Sequence, residues 1–167
     1  MLIEMFKYKQ WSDLRTLDAI ERIDEQKFPS ASAFVAQQLN HMIIVEELFT
    51  ARLLGNPDPH RSTNTETLPG LFEISQRIVD SNQWFSGYTE SLKQQHLNQS
   101  VYFRFADGKQ GSMTRLEILF HIINHGTYHK GAIGHALDLA HVSHPADTYT
   151  VFIHAAAPER RVWSGAE

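Results

Sequence analysis

Four long segments of this chain repeat apolar side chains at helical spacing, and short runs rich in proline, glycine and polar residues separate them. That pattern leaves few solutions, because an amphipathic helix must bury its apolar stripe against other elements. The first segment runs from about Leu2 to Ile23, with Phe6, Trp11, Leu14, Leu17 and Ile20 as its inner face. Pro29-Ser30 interrupts the chain, and Ser30 or Ser32 is suited to cap a second helix over about Ala33 to Leu54. Gly55 followed by Pro57 and Pro59 is a helix stop. A polar loop, His60 to Thr67, leads to a third helix over about Pro69 to Gln95. Val101 to Phe105 alternates, Asp107-Gly108 turns, and Gly111 to Met113 returns, which predicts a small β-hairpin. The fourth helix is expected from Thr114, capped by Ser112 or Thr114, to about Ala140. Asp147 opens a short fifth helix carrying Tyr149, Val151, Phe152 and Ile153. The expected fold is all-α: a four-helix bundle with a small β-hairpin insertion and a short C-terminal helix. One domain is expected over residues 1–157, followed by a loose polar tail, 158–167, unless Trp163 finds a pocket.

Composition narrows the function. With 167 residues and 42% hydrophobic content, the chain can bury a sizeable core. A formal net charge of −4 lacks the basic excess of a nucleic-acid binder, so no nucleic-acid partner is expected. There is no cysteine, which excludes disulfides, thiolate ligands and a cysteine nucleophile. No stretch approaches the roughly 20 apolar residues of a membrane span. Met1 to Lys7 places Glu4 and Lys7 in its apolar run, unlike a signal peptide. A soluble cytoplasmic protein with no membrane partner is the expectation.

Ten histidines remain, so any metal site must be built from imidazole and oxygen. The fourth helix contains His121-Ile122-Ile123-Asn124-His125-Gly126-Thr127-Tyr128-His129. At about 100° per residue, His125 and His129 share one face, one turn apart. They fall on a stripe with Ile118, Ile122, Ala132 and Ala136, so they occupy core-facing positions and need polar partners. His121 lies one turn earlier, but three ligands in line on one helix do not converge easily on one ion. Spacing alone leaves three readings: a pair on the surface, an internally hydrogen-bonded core pair, or two metal ligands. His41, between Leu39 and Ile43 and a turn after Gln37 and Gln38, is the best third candidate; read by itself it is a lone core histidine. His60, His96, His135, His141, His144 and His154 read as solvated loop or helix-end residues. No His-Glu-x-x-His and no Glu-x-x-His occurs, which argues against a zinc protease or a di-iron carboxylate bundle.

The run from Gly111 through His121-Ile122-Ile123-Asn124-His125-Gly126-Thr127-Tyr128-His129-Lys130-Gly131 resembles the signature of the DinB-like (YfiT-like) metalloenzyme superfamily. Lys130 stands where the family usually has Arg, and Ala132 where it has Gln. Tyr8-Lys9-Gln10-Trp11-Ser12-Asp13-Leu14-Arg15 is similar to the family's first-helix pattern, with Asp13 in place of Asn. Leu39-Asn40-His41 with Glu46, and Asp147-Thr148-Tyr149 with Phe152, match further positions, so the resemblance spans about Phe6 to Ile153. It implies a bundle of up-down-down-up connectivity, a homodimer, and a three-histidine site of His41, His125 and His129 holding nickel or zinc.

Such a site leaves a coordination position open. A metal there can activate water for hydrolysis or a thiol for transfer, and relatives of this kind are known for both. The first expectation is an S-transferase whose cosubstrate is a low-molecular-weight thiol, such as bacillithiol, mycothiol or glutathione, acting on a small-molecule electrophile. Tyr128, Arg104 and Lys130 are candidates to orient that substrate. The alternatives are a hydrolase with Glu46 or Glu117 as proton acceptor, and a non-catalytic bundle stapled by its metal.

Overall fold

The computed structural model describes residues 1–105 and 107–161. Five helices, α1 (Leu2–Ile20), α2 (Pro29–Leu54), α3 (Leu71–Ser91), α4 (Arg115–Leu139) and α5 (Tyr149–Ala156), carry most of the chain. Strands β1 (Ser100–Arg104) and β2 (Gln110–Thr114) form an antiparallel hairpin between α3 and α4, with Val101 opposite Met113 and Tyr102 opposite Ser112. None of the described helices is long and apolar enough to cross a membrane.

The first four helices form a ring in which α1 touches α3 and α4, and α2 touches the same two. Side-chain pairings fix the directions. Phe6 stacks on Phe85 and Lys9 bonds Asn82, so α1 and α3 run antiparallel. Glu47 meets Arg77 while Leu53 and Tyr88 both meet Arg115, so α2 and α3 run parallel. Gln38 meets His129 and Leu53 meets Arg115, so α2 and α4 run antiparallel. The bundle is therefore up-down-down-up.

Local chemistry explains the ends. Thr114 caps α4 in a reciprocal box with Glu117, each serving the other's backbone N–H. Gly55 ends α2 in the left-handed region at φ 72°, where a side chain would be strained. Neither Ser30 nor Ser32 caps α2. The helix begins at Pro29, whose missing N–H suits the first turn, with Phe28 at the cap and no side-chain cap bond. Asp147 lies before α5, where it accepts from the Ser12 hydroxyl, while Thr148 takes the cap position.

The core has two apolar layers. Leu17, Ile20, Leu39, Ile43, Ile74 and Ile133 belong to one. Phe6, Phe49, Phe85, Ile118, Ile122 and Phe152 belong to the other. On each of the four long helices the residues between these layers are polar and buried: Lys9 and Asp13 on α1, Glu46 on α2, Ser81 and Asn82 on α3, Lys130 on α4. Lys9 bridges Asp13 and Glu46 at 2.8 and 2.9 Å, and Lys130 reaches Asp13 at 2.8 Å. The layer holds two ammoniums and two carboxylates, a balanced set, as buried charges require. Burial works against the Asp13 carboxylate, but the Lys130 and Lys9 ammoniums outweigh it and hold its pKa well below the usual range. For Glu46 burial wins over Lys9, and its pKa is raised.

Two inner-face expectations differ from the structure. Leu14 is exposed, because Lys9, Asp13, Leu17 and Ile20 take the inward phase of α1 instead. Phe34 is also exposed, on the outer side of the α2 start. In the C-terminal segment Pro158–Arg160 makes one 3-10 turn; Trp163 lies outside the described residues.

Candidate metal centre

His41 comes from the middle of α2, and His125 and His129 from successive turns of α4. The antiparallel pairing of these helices brings the three rings together at the level of the buried polar layer. His41 Nε2 lies 3.1 Å from His125 Nε2, and His129 Nε2 lies 3.1 Å from the same atom. One nitrogen from each ring falls within 4.8 Å of the others, an arrangement able to hold a metal ion.

The outer ring nitrogens decide what the inner ones can do. His41 Nδ1 lies 2.9 Å from the Thr63 carbonyl, which only accepts, so Nδ1 carries the proton. His129 Nδ1 donates to Gln38 Oε1 at 2.6 Å. A neutral ring in either position then presents a bare lone pair at Nε2. His125 Nε2 faces both, and a single N–H can serve only one of two acceptors. The cluster is thus one donor short as a hydrogen-bonded set, whereas a cation among the three nitrogens serves all of them. Orienting partners on the far nitrogen are the usual support of ligating histidines. The donor set fits a divalent transition metal.

Electrostatics favour the neutral, ligating form. Burial, with a smaller contribution from the neighbouring His129, His121 and His41 rings, pushes the His125 pKa down to about 3. Burial and then the His41 ring lower that of His129. Burial alone lowers His121, which packs on Phe49 and on His125 with ring centroids 5.2 Å apart in each pair and is not part of the three-nitrogen group.

A cavity of about 740 Å³ opens beside the cluster, reaching from His41, His121 and His125 to the α2–α3 loop and the hairpin. That size suits a small-molecule ligand. The model of the DinB family matches residues 1–162. The chain belongs to the DinB family. No curated protein matches it.

Other sequence expectations fall differently. Lys130 is buried on Asp13 and Ser12 rather than available to a substrate. Tyr128 is exposed, its ring edge-on to His129, and Arg104 lines the cavity. Glu46, a proton-acceptor candidate, belongs to the buried layer, bonded to Lys9 and Ser81. Glu117 is occupied in the α4 capping box. His60 is half-buried against Glu47, which Arg77 also holds, and it lines the cavity instead of pointing into solvent. Sequence reasoning missed the roles of Gln38 and Thr63. Gln38 carried a signal, lying one turn before His41 on the same helix face; a backbone carbonyl such as that of Thr63 carries none.

Proposed function

We propose that His41, His125 and His129 hold nickel or zinc through their Nε2 atoms, and that this DinB-family protein is a metal-dependent S-transferase using a low-molecular-weight thiol. The observation that carries the reading is the meeting of three ring nitrogens with too few protons among them. Three protein ligands leave room for a substrate atom, and a cation there supplies Lewis acidity, lowering the pKa of a thiol or of water. The residues around it have separate tasks. The Thr63 carbonyl and Gln38 fix the ring planes of His41 and His129. Val45, Leu48 and Phe49 form a dry wall that keeps the electrophile's apolar part beside the site. With no cysteine in the chain, the sulfur nucleophile must arrive as a cosubstrate.

Transfer is preferred over hydrolysis because Glu46 and Glu117, the carboxylates a hydrolase would use as proton acceptors, are engaged elsewhere. The reading includes a homodimer, for which exposed Leu116 and Phe120 on α4 supply apolar surface. The test is turnover of a chromogenic aryl halide by metal-loaded protein, with and without glutathione, bacillithiol or mycothiol. Activity that needs both metal and one of these thiols supports the reading. Metal-dependent ester hydrolysis with no thiol requirement would replace it with the hydrolase.

A further inference from the structure

The cavity beside the histidine cluster has an uneven charge. Three arginines line it, Arg52, Arg61 and Arg104, against one lining carboxylate, Asp58. Arg52 is already spent. Its guanidinium bonds both Asp58 oxygens, at 3.0 and 2.8 Å, and lies over the Phe49 and Phe103 rings. Asp58 is thereby neutralised as well. Glu47 stands near His60, outside the lining, and is held by Arg77. Among the described residues no carboxylate pairs with Arg61 or Arg104; Arg104 donates only to the Gly108 carbonyl, at 3.1 Å. Two full positive charges are therefore left at the mouth of a cavity whose inner wall, Val45, Leu48, Phe49 and Met113, is apolar. The two arginines come from separate segments, the α2–α3 loop and the end of β1, so their presence in one cavity lining belongs to the fold and not to a local charge run.

We propose that this cavity takes a small organic anion with an apolar body: the acid group binds Arg61 and Arg104, and the body lies along Val45, Leu48 and Phe49 toward the histidines. This names the class of substrate for the metal site proposed above and rests on that reading for its catalytic meaning. The binding itself needs only the arginines and the wall. A guanidinium suits planar or tetrahedral oxyanions through paired N–H groups. A cation held by three neutral imidazoles adds to the same positive field.

The probe is 8-anilinonaphthalene-1-sulfonate, with N-phenyl-1-naphthylamine as its uncharged counterpart of the same ring body. Fluorescence titrations are run on metal-free and zinc-loaded protein, wild type and the Arg61→Gln/Arg104→Gln double variant, with metal content measured on each sample. Both substitutions are at exposed positions, and thermal melts confirm that the double variant folds. The expected result is a preference of wild type for the sulfonate of about tenfold or more, lost in the double variant while the neutral dye binds unchanged. Equal binding of the two dyes, or a sulfonate affinity that survives the double substitution, would overturn the proposal. So would sulfonate binding that appears only with zinc and ignores the arginines, since the anion would then sit on the metal. Protein that takes up no metal yet keeps the arginine-dependent preference removes the metal reading alone. Metal uptake without the preference removes this inference alone.

Discussion

Removing the Lys130 ammonium should destabilise the bundle far more than a surface lysine would. Lys130 Nζ lies 2.8 Å from Asp13 and 2.6 Å from the Ser12 hydroxyl, and both Lys130 and Asp13 are buried. In Lys130→Met, the Lys9 ammonium alone faces two carboxylates, Asp13 and Glu46. Breaking a buried pair in this way costs about 3–5 kcal/mol, against about 0–1 kcal/mol for an exposed pair such as Lys7 with Glu4. At roughly 2–4 °C per kcal/mol for a chain of this size, the melting temperature should fall by about 6–20 °C. Asp13→Asn should cost a similar amount, because it leaves two ammoniums facing Glu46 alone. The double variant restores one cation to one anion, so its cost should be less than the sum of the singles by about 2 kcal/mol or more. Urea unfolding of the four proteins gives the cycle. Additive single costs, or a Lys130→Met cost under about 1 kcal/mol, would refute the charge-balanced layer.

Gln38→Leu removes the acceptor of the His129 Nδ1 proton, and metal affinity in competition with a chromophoric chelator should drop about 10- to 100-fold; an unchanged affinity would show that Gln38 does not orient the ring. In metal-free protein the His125 pKa is about 3 when folded, against about 6.5 in an unfolded chain. The unfolded state therefore binds more protons in that window, and the histidine contribution is lost as pH falls from about 6.5. The urea midpoint of chelated wild type should drop between pH 7 and pH 5 more than that of His125→Phe, and parallel profiles would contradict this; Glu46, whose pKa is raised by burial, acts in the opposite sense in both proteins. Thr114→Ala breaks the α4 capping box and should cost about 1 kcal/mol, which thermal melts can resolve; an unchanged melting temperature would mean that the cap is replaced by solvent.

Helical periodicity places the four long helices, because each buries an apolar face that recurs in sequence; alternation with an Asp-Gly turn places the hairpin, and the apolar run after Asp147 places the short fifth helix. The His125–His129 pair was readable for the same reason, lying in phase with Ile118 and Ile122. The polar layer was not read, although α1 carried its signal. Lys9 and Asp13 are four apart and in phase with Leu17 and Ile20, but charged residues are ordinarily assigned to the outer face. Glu46 is buried because α1 brings Lys9 to it and α3 brings Ser81, which no local pattern records. The cavity charge likewise depends on tertiary placement, since Arg61 and Arg104 are far apart in sequence and line one cavity only through the fold.

The most direct test of the central claim is metal content, by mass spectrometry, of protein purified without a nickel column, compared with His129→Ala. The account predicts about one nickel or zinc ion per wild-type chain and little in the variant, with both proteins folded. Well-folded wild type that stays metal-free after incubation with zinc or nickel would contradict it.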